Sequence, residues 1–124
     1  MVKRKIADLR RTDRNKTPLC VRFRPEDLDT IRLAASRRRE AATVLIREWV
    51  MMRVVAIERG LKVSKIDFAA PGDGVGDPIS VRFRQTDYDR LLAQAVVEGC
   101  GPSQWVRAVA IDSAQRARPV AVGA

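Results

Sequence analysis

The chain repeats itself at a fixed offset of sixty residues, without a gap. Pro18-Leu19-Cys20-Val21-Arg22-Phe23-Arg24 returns as Pro78-Ile79-Ser80-Val81-Arg82-Phe83-Arg84, and the match runs on through Asp27/Asp87, Asp29/Asp89, Ala35/Ala95 and Arg47/Arg107. Nine identities fall in the 37 pairs from 18/78 to 54/114, five of them in the first seven pairs. Ordinary residue frequencies would give roughly two or three. The fold therefore has to be assembled from two copies of one unit, and a unit of about 40 residues rarely closes a core alone. The 124 residues hold one compact domain or two half-domains that share a core.

Within each unit the apolar period changes once. Leu19, Val21 and Phe23 alternate with Cys20, Arg22 and Arg24, which predicts a half-buried strand over 19–24. Its copy over 79–84 turns Ile79, Val81 and Phe83 inward and Ser80, Arg82 and Arg84 outward. Pro25 suits the first turn of a helix, Glu26 and Asp27 suit its positive end, and Leu28, Ile31 and Ala35 make its stripe. Arg37-Arg38-Arg39 closes that helix. A second runs from near Ala42 to Ile57, burying Leu45, Ile46, Trp49, Val50, Val54 and Ile57 and stopping at Gly60. In the second unit Tyr88, Leu91, Leu92 and Ala95 line the first helix, Gly99-Cys100-Gly101-Pro102 makes the turn, and Trp105, Val106, Val109 and Ala110 line the second.

A lone strand leaves an edge unpaired, so the two units are expected to pair strand 19–24 antiparallel with strand 79–84 over four packed helices. The expected fold is mostly α with a short two-stranded antiparallel β-ribbon. The connector, extended, reaches roughly 55 to 60 Å, enough to return the chain for pairing within one molecule. The organisation reads as a basic flexible arm over 1–17, a first unit over 18–60, a linker over 61–77, a second unit over 78–114 and a short tail over 115–124. Leu61 to Phe68 fits either a short extra strand or a path along the surface. Pro71-Gly72-Asp73-Gly74-Val75-Gly76-Asp77-Pro78 is linker by composition.

Charge narrows the function. Lys and Arg total 24 against 15 Asp and Glu, a net charge of +9 with a pI of about 10.7, which points to a polyanionic partner. Residues 1–60 hold 16 basic and 8 acidic side chains, so +8 of the +9 lies in the first half. Arg outnumbers Lys 19 to 5. A GC-rich genome would account for that ratio, but not for the sign or the placement of the charge. With no histidine and two cysteines eighty residues apart, neither a metal site nor His-based catalysis is expected, and no cofactor. Cysteine usage and the lack of an apolar leader fit a cytoplasmic, nucleoid-associated protein. The most apolar run, Ala41 to Ile57, is broken by Arg47, Glu48 and Arg53, so no membrane span is expected.

These residues meet a family. The pattern resembles the ribbon-helix-helix DNA-binding superfamily of Arc, MetJ and CopG type, with VRFRPEDLD as its strand-into-helix junction and VRFRQTDYDRLLAQAVVEGCGPSQWVRAVAI as the closer match. The resemblance covers about 75 residues in two copies. It implies two tandem ribbon-helix-helix units forming an intramolecular pseudo-dimer whose ribbon enters the major groove. By position it makes Cys20, Arg22, Ser80 and Arg82 base readers and places Arg24 and Arg84 at the ribbon's edge for phosphates. It maps phosphate clamps to Ala42 and Thr43 and to Pro102 and Ser103, where free backbone N–H groups suit an anion. Two departures stand out. Arg24 and Arg84 replace the usual Ser or Thr helix cap, and the first unit has Arg39-Glu40-Ala41 where the second has Gly99-Cys100-Gly101.

Each site has a plainer reading. The strand arginines could be a solvated face that blunts an exposed ribbon, and Arg37 and Arg38 could be a soluble helix end rather than phosphate contacts. Lys3, Arg4 and Lys5 could solubilise the arm or tether it to a duplex independently of sequence. Trp49 and Trp105 are core anchors by their spacing. Cys20 reads as a small filler on the groove face, with an oxidation switch as the rival. Binding of single strands would need exposed aromatic residues, and all are assigned to the core except Phe68.

The expected function is sequence-specific binding of double-stranded DNA by a repressor, most simply of its own operon. The alternatives are a relaxosome accessory that positions DNA for a relaxase, and an antitoxin that silences a protein toxin. Self-association on adjacent half-sites is a further expectation.

Overall fold

Both copies of the repeat fold as strand, helix, helix. A computed structural model describes residues 17–68 and 76–117. The order is β1 (Thr17–Phe23), α1 (Pro25–Arg37), α2 (Ala42–Glu58), β2 (Asp77–Phe83), α3 (Gln85–Glu98) and α4 (Pro102–Arg116). Every element of the second half starts sixty residues after its counterpart. The arm over 1–16, the glycine-rich 69–75 and the tail from 118 lie outside the described residues.

β1 and β2 pair antiparallel into one two-stranded sheet, with Thr17 opposite Phe83, Cys20 opposite Ser80 and Phe23 opposite Asp77. One face of the ribbon is the roof of the core: Leu19, Val21, Phe23, Val81 and Phe83 are buried, and Ile79 is partly so. Below them lie Leu28, Ile31 and Ala35 of α1, Leu45, Ile46, Trp49, Val50 and Val54 of α2, Leu91 and Ala95 of α3, and Trp105, Val106, Val109 and Ala110 of α4. Each large side chain so buried stabilises the fold by roughly 1.5 to 3 kcal/mol. No described polar or charged residue is buried. The expected stripes are recovered, except that Ile57, Tyr88 and Leu92 are only half-buried.

The strand bounds differ from the sequence reading, and the path of residues 61–68 is decided. The strands begin and end earlier than expected, and Arg24 and Arg84 leave the ribbon to become the N-cap residues of α1 and α3. Both hold extended backbone (φ −63°) but neither makes a side-chain cap hydrogen bond. Of the two paths open to residues 61–68, the chain takes the one without a strand, and side chains hold the segment. Phe68 is buried and stacks on Trp105, with ring centroids 6.0 Å apart and planes 4° from parallel. Its backbone carbonyl accepts a hydrogen bond from the Gln104 amide.

The turn between the two helices is the same in both units despite their different sequences. The Arg39 N–H donates to the Ser36 carbonyl at 3.1 Å and that of Glu40 to Ala35 at 3.0 Å, and the Gly99 and Cys100 N–H groups repeat both bonds to Val96 and Ala95 at 3.1 and 3.0 Å. This 5→2 and 6→1 pair requires a left-handed residue after the helix. Gly99 takes it at φ 72°, and Arg39 takes it at φ 56°.

Candidate nucleic-acid interface

A ribbon buried on one face turns every second side chain the other way. Pro18, Cys20, Arg22, Pro78, Ser80 and Arg82 are all exposed. The register sets Arg22 across from Pro78, Cys20 across from Ser80 and Pro18 across from Arg82. Cys20 and Ser80 are counterparts in the repeat, so the two arginines stand two residues to either side of that pair, on opposite strands. Four strand steps separate them by about 14 Å along the ribbon. The four expected base readers thus share one outward face, and the Cys20 thiol there is free.

Hydrogen bonds donated by side chains brace the ribbon. Arg47 of α2 donates from Nη1 to the Arg82 carbonyl at 3.1 Å, and the Ser103 hydroxyl of α4 donates to the Cys20 carbonyl at 2.8 Å. The Thr17 hydroxyl donates to Gln85 Oε1 at 2.9 Å, tying the start of β1 to α3. Arg22 donates from Nη1 to the Gly76 carbonyl at 3.2 Å. Gly76 is at φ 134°, and a Cβ there would lie 1.9 Å from the Phe23 carbonyl oxygen, so only glycine closes the ribbon at this end. Sequence reasoning missed Arg47 and Gly76 as supports. For Arg47 the identity with Arg107 in the repeat was the available signal, whereas Gly76 reads in sequence as one glycine among several in a linker.

The expected phosphate contacts fall into three groups. Ala42 and Thr43 begin α2, and Pro102 and Ser103 begin α4. The N-caps of these helices, Ala41 and Gly101, make no side-chain hydrogen bond, and neither first turn holds an acid. The first turns of α1 and α3 carry Glu26 and Asp27, and Asp87. Of the four described helix starts, then, those of α2 and α4 combine the lack of a side-chain cap with a positive dipole end that no first-turn acid offsets. Pro102 has no N–H and the Ser103 hydroxyl is already engaged with the ribbon, so any anion at α4 would meet backbone donors. Arg24, Arg84, Arg37 and Arg38 are exposed, and Arg38 pairs with Glu48 at 3.6 Å. Lys3, Arg4 and Lys5 lie outside the described residues.

A second polar cluster sits away from the ribbon. Arg53 donates to the Ser64 hydroxyl at 3.0 Å and to its carbonyl at 2.8 Å, and lies 5.7 Å from the Phe68 ring centre. The Ser64 hydroxyl donates to Asp112 Oδ2 at 2.8 Å, which also accepts from Arg116 Nε at 2.9 Å. Burial lowers the pKa of the Arg53 guanidinium, and Asp112 opposes the shift. The cluster straps residues 64–68 across α2 and α4.

Among the described residues no group of three or more Cys, Asp or Glu side chains could hold a metal ion. Nor is any described helix long and apolar enough to cross a membrane. Comparison of the chain with family models, with curated proteins and with solved structures returned no match.

Proposed function

We propose that the chain is a sequence-specific double-stranded DNA-binding protein of ribbon-helix-helix type, in which two tandem units form an intramolecular pseudo-dimer. The observation that carries this reading is the ribbon register. Cys20 faces its own counterpart Ser80, and so presents Arg22 and Arg82 outward as a pair about that point. A two-stranded ribbon is one of the shapes the major groove admits, and a guanidinium takes guanine O6 and N7 by two hydrogen bonds. The spacing of about 14 Å corresponds to about four base-pair steps of 3.4 Å. The uncapped starts of α2 and α4 supply backbone donors for phosphates on either side, with Arg24 and Arg84 at the strand ends. The excess of positive charge supplies the salt-dependent share of affinity. Cys20 and Ser80 differ chemically, so the preferred site is a quasi-palindrome with unequal halves. Occupying such a site in the promoter of its own operon would make the chain a repressor.

The test is direct. Arg22→Ala and Arg82→Ala should each relax base preference in one half-site and cost about 1 to 3 kcal/mol on the preferred duplex. Binding isotherms at fixed salt, on duplexes altered in one half-site at a time, measure both effects. Variants that bind as tightly and as selectively as the parent would remove the ribbon as the reader of bases.

A further inference from the structure

The backbone carbonyl of Arg82 takes a donor that the residue opposite it cannot supply. Pro18 faces Arg82 in the ribbon register. If the two form a hydrogen-bonded pair, Pro18 has no N–H to give; if they form the other kind of pair, the Arg82 carbonyl points away from β1. Arg47 fills the place. It stands half-buried in the second turn of α2 and donates from Nη1 to that carbonyl at 3.1 Å. Helix α2 belongs to the first copy of the repeat and β2 to the second, so the bond crosses between the copies. Ser103 of α4 crosses the other way, to the Cys20 carbonyl of β1.

The Arg82 carbonyl is part of the planar peptide that joins Arg82 to Phe83. Phe83 is fully buried, so the core fixes one end of that plane and Arg47 fixes its oxygen. The plane sets the direction in which the Arg82 side chain leaves the outer face. That direction matters because two simultaneous hydrogen bonds to guanine O6 and N7 tolerate only a narrow range of approach.

We propose that Arg47 is a positioning residue for Arg82, through which α2 of the first unit sets the base preference of the half-site read by the second. The proposal rests on the ribbon reading a duplex. On that reading, the helix whose start meets a phosphate is also the helix that steadies a base reader, so backbone contact and base contact are joined through one side chain.

Binding isotherms at fixed salt test it. For each half-site they give the ratio of affinities for the preferred duplex and for one with its guanine replaced. Arg47→Ala should lower this ratio about fivefold at the half-site that Arg82→Ala relaxes, and leave it unchanged at the one that Arg22→Ala relaxes. Arg47→Lys keeps the charge and a donor, and should restore most of the ratio. Arg107→Ala removes the same charge from the equivalent place on α4 and should leave both ratios as they are. A loss of stability alone lowers the active fraction alike for every duplex and does not move a ratio. If Arg82→Ala relaxes its half-site while Arg47→Ala leaves both ratios at the parent value, or lowers both equally, the positioning role is overturned and the ribbon reading stands. Arg82→Ala without effect would overturn the ribbon reading and this inference with it.

Discussion

Arg39 stands where the backbone calls for glycine. Its φ of 56° costs a residue with a Cβ roughly 1 kcal/mol, a cost that Gly99 avoids at the equivalent turn. Arg39→Gly is therefore expected to raise stability by about 1 kcal/mol, and Gly99→Ala to lower it by about as much, both read from denaturant midpoints at constant slope. The hydrogen bonds that Arg39 and Gly99 share explain how one turn serves two sequences, and why the missing glycine was a poor guide to the first unit's geometry. The same lesson holds on the ribbon. The outward set Cys20, Arg22, Ser80 and Arg82 followed from alternation alone, since a period of two leaves no other face for them once Leu19, Val21 and Phe23 are buried.

At the scale of elements, the segment from Ser64 to Phe68 behaves as part of the core. Truncating Phe68 to alanine removes a buried ring stacked on Trp105 and should cost about 3 to 5 kcal/mol, a far larger loss than a linker residue would give. Chemical denaturation of Phe68→Ala against the parent checks this. Helices α2 and α3 are joined differently, by a surface fork in which Arg90 Nε donates to Glu58 Oε2 at 3.0 Å and a second guanidinium nitrogen binds Oε1. Those bonds hold the Glu58 carboxyl below its ordinary range. A depressed carboxyl stabilises above its unfolded value near 4.3 and loses that contribution as pH falls through the folded one. The difference in melting temperature between the parent and Glu58→Gln should accordingly be present at neutral pH and close on acidification, as thermal melts across pH 2 to 7 would show.

Helix positions were legible because their stripes run at helical period over three or more turns, and Pro25 and Pro102 mark two of the starts. The strap was not, because four residues have no period and a glycine-rich run follows them. Arg24 and Arg84 were read both as the last strand residues and as standing in the helix-cap position, and they are the N-caps, because the strand-to-helix change falls on a single extended residue that alternation assigns to either element.

For the whole molecule, duplication solves the problem a single unit cannot. One strand and two helices leave an unpaired edge and a half-covered face, and the second copy closes both within the same chain. Covalent linkage also frees the halves to diverge, which an identical pair cannot do. Cys20 differs from Ser80 at the centre of the outer face, and Arg39 from Gly99 at the equivalent turn. The account's central claim, that this divided ribbon reads a duplex, is tested most directly by selecting preferred sequences from a random duplex pool at about 150 mM salt, where purely electrostatic binding is suppressed. It predicts an enriched motif of two unequal half-sites whose key guanines lie about four base pairs apart, each lost on mutating one of Arg22 and Arg82. A pool that emerges without a motif, or one whose motif is indifferent to both arginines, would contradict it.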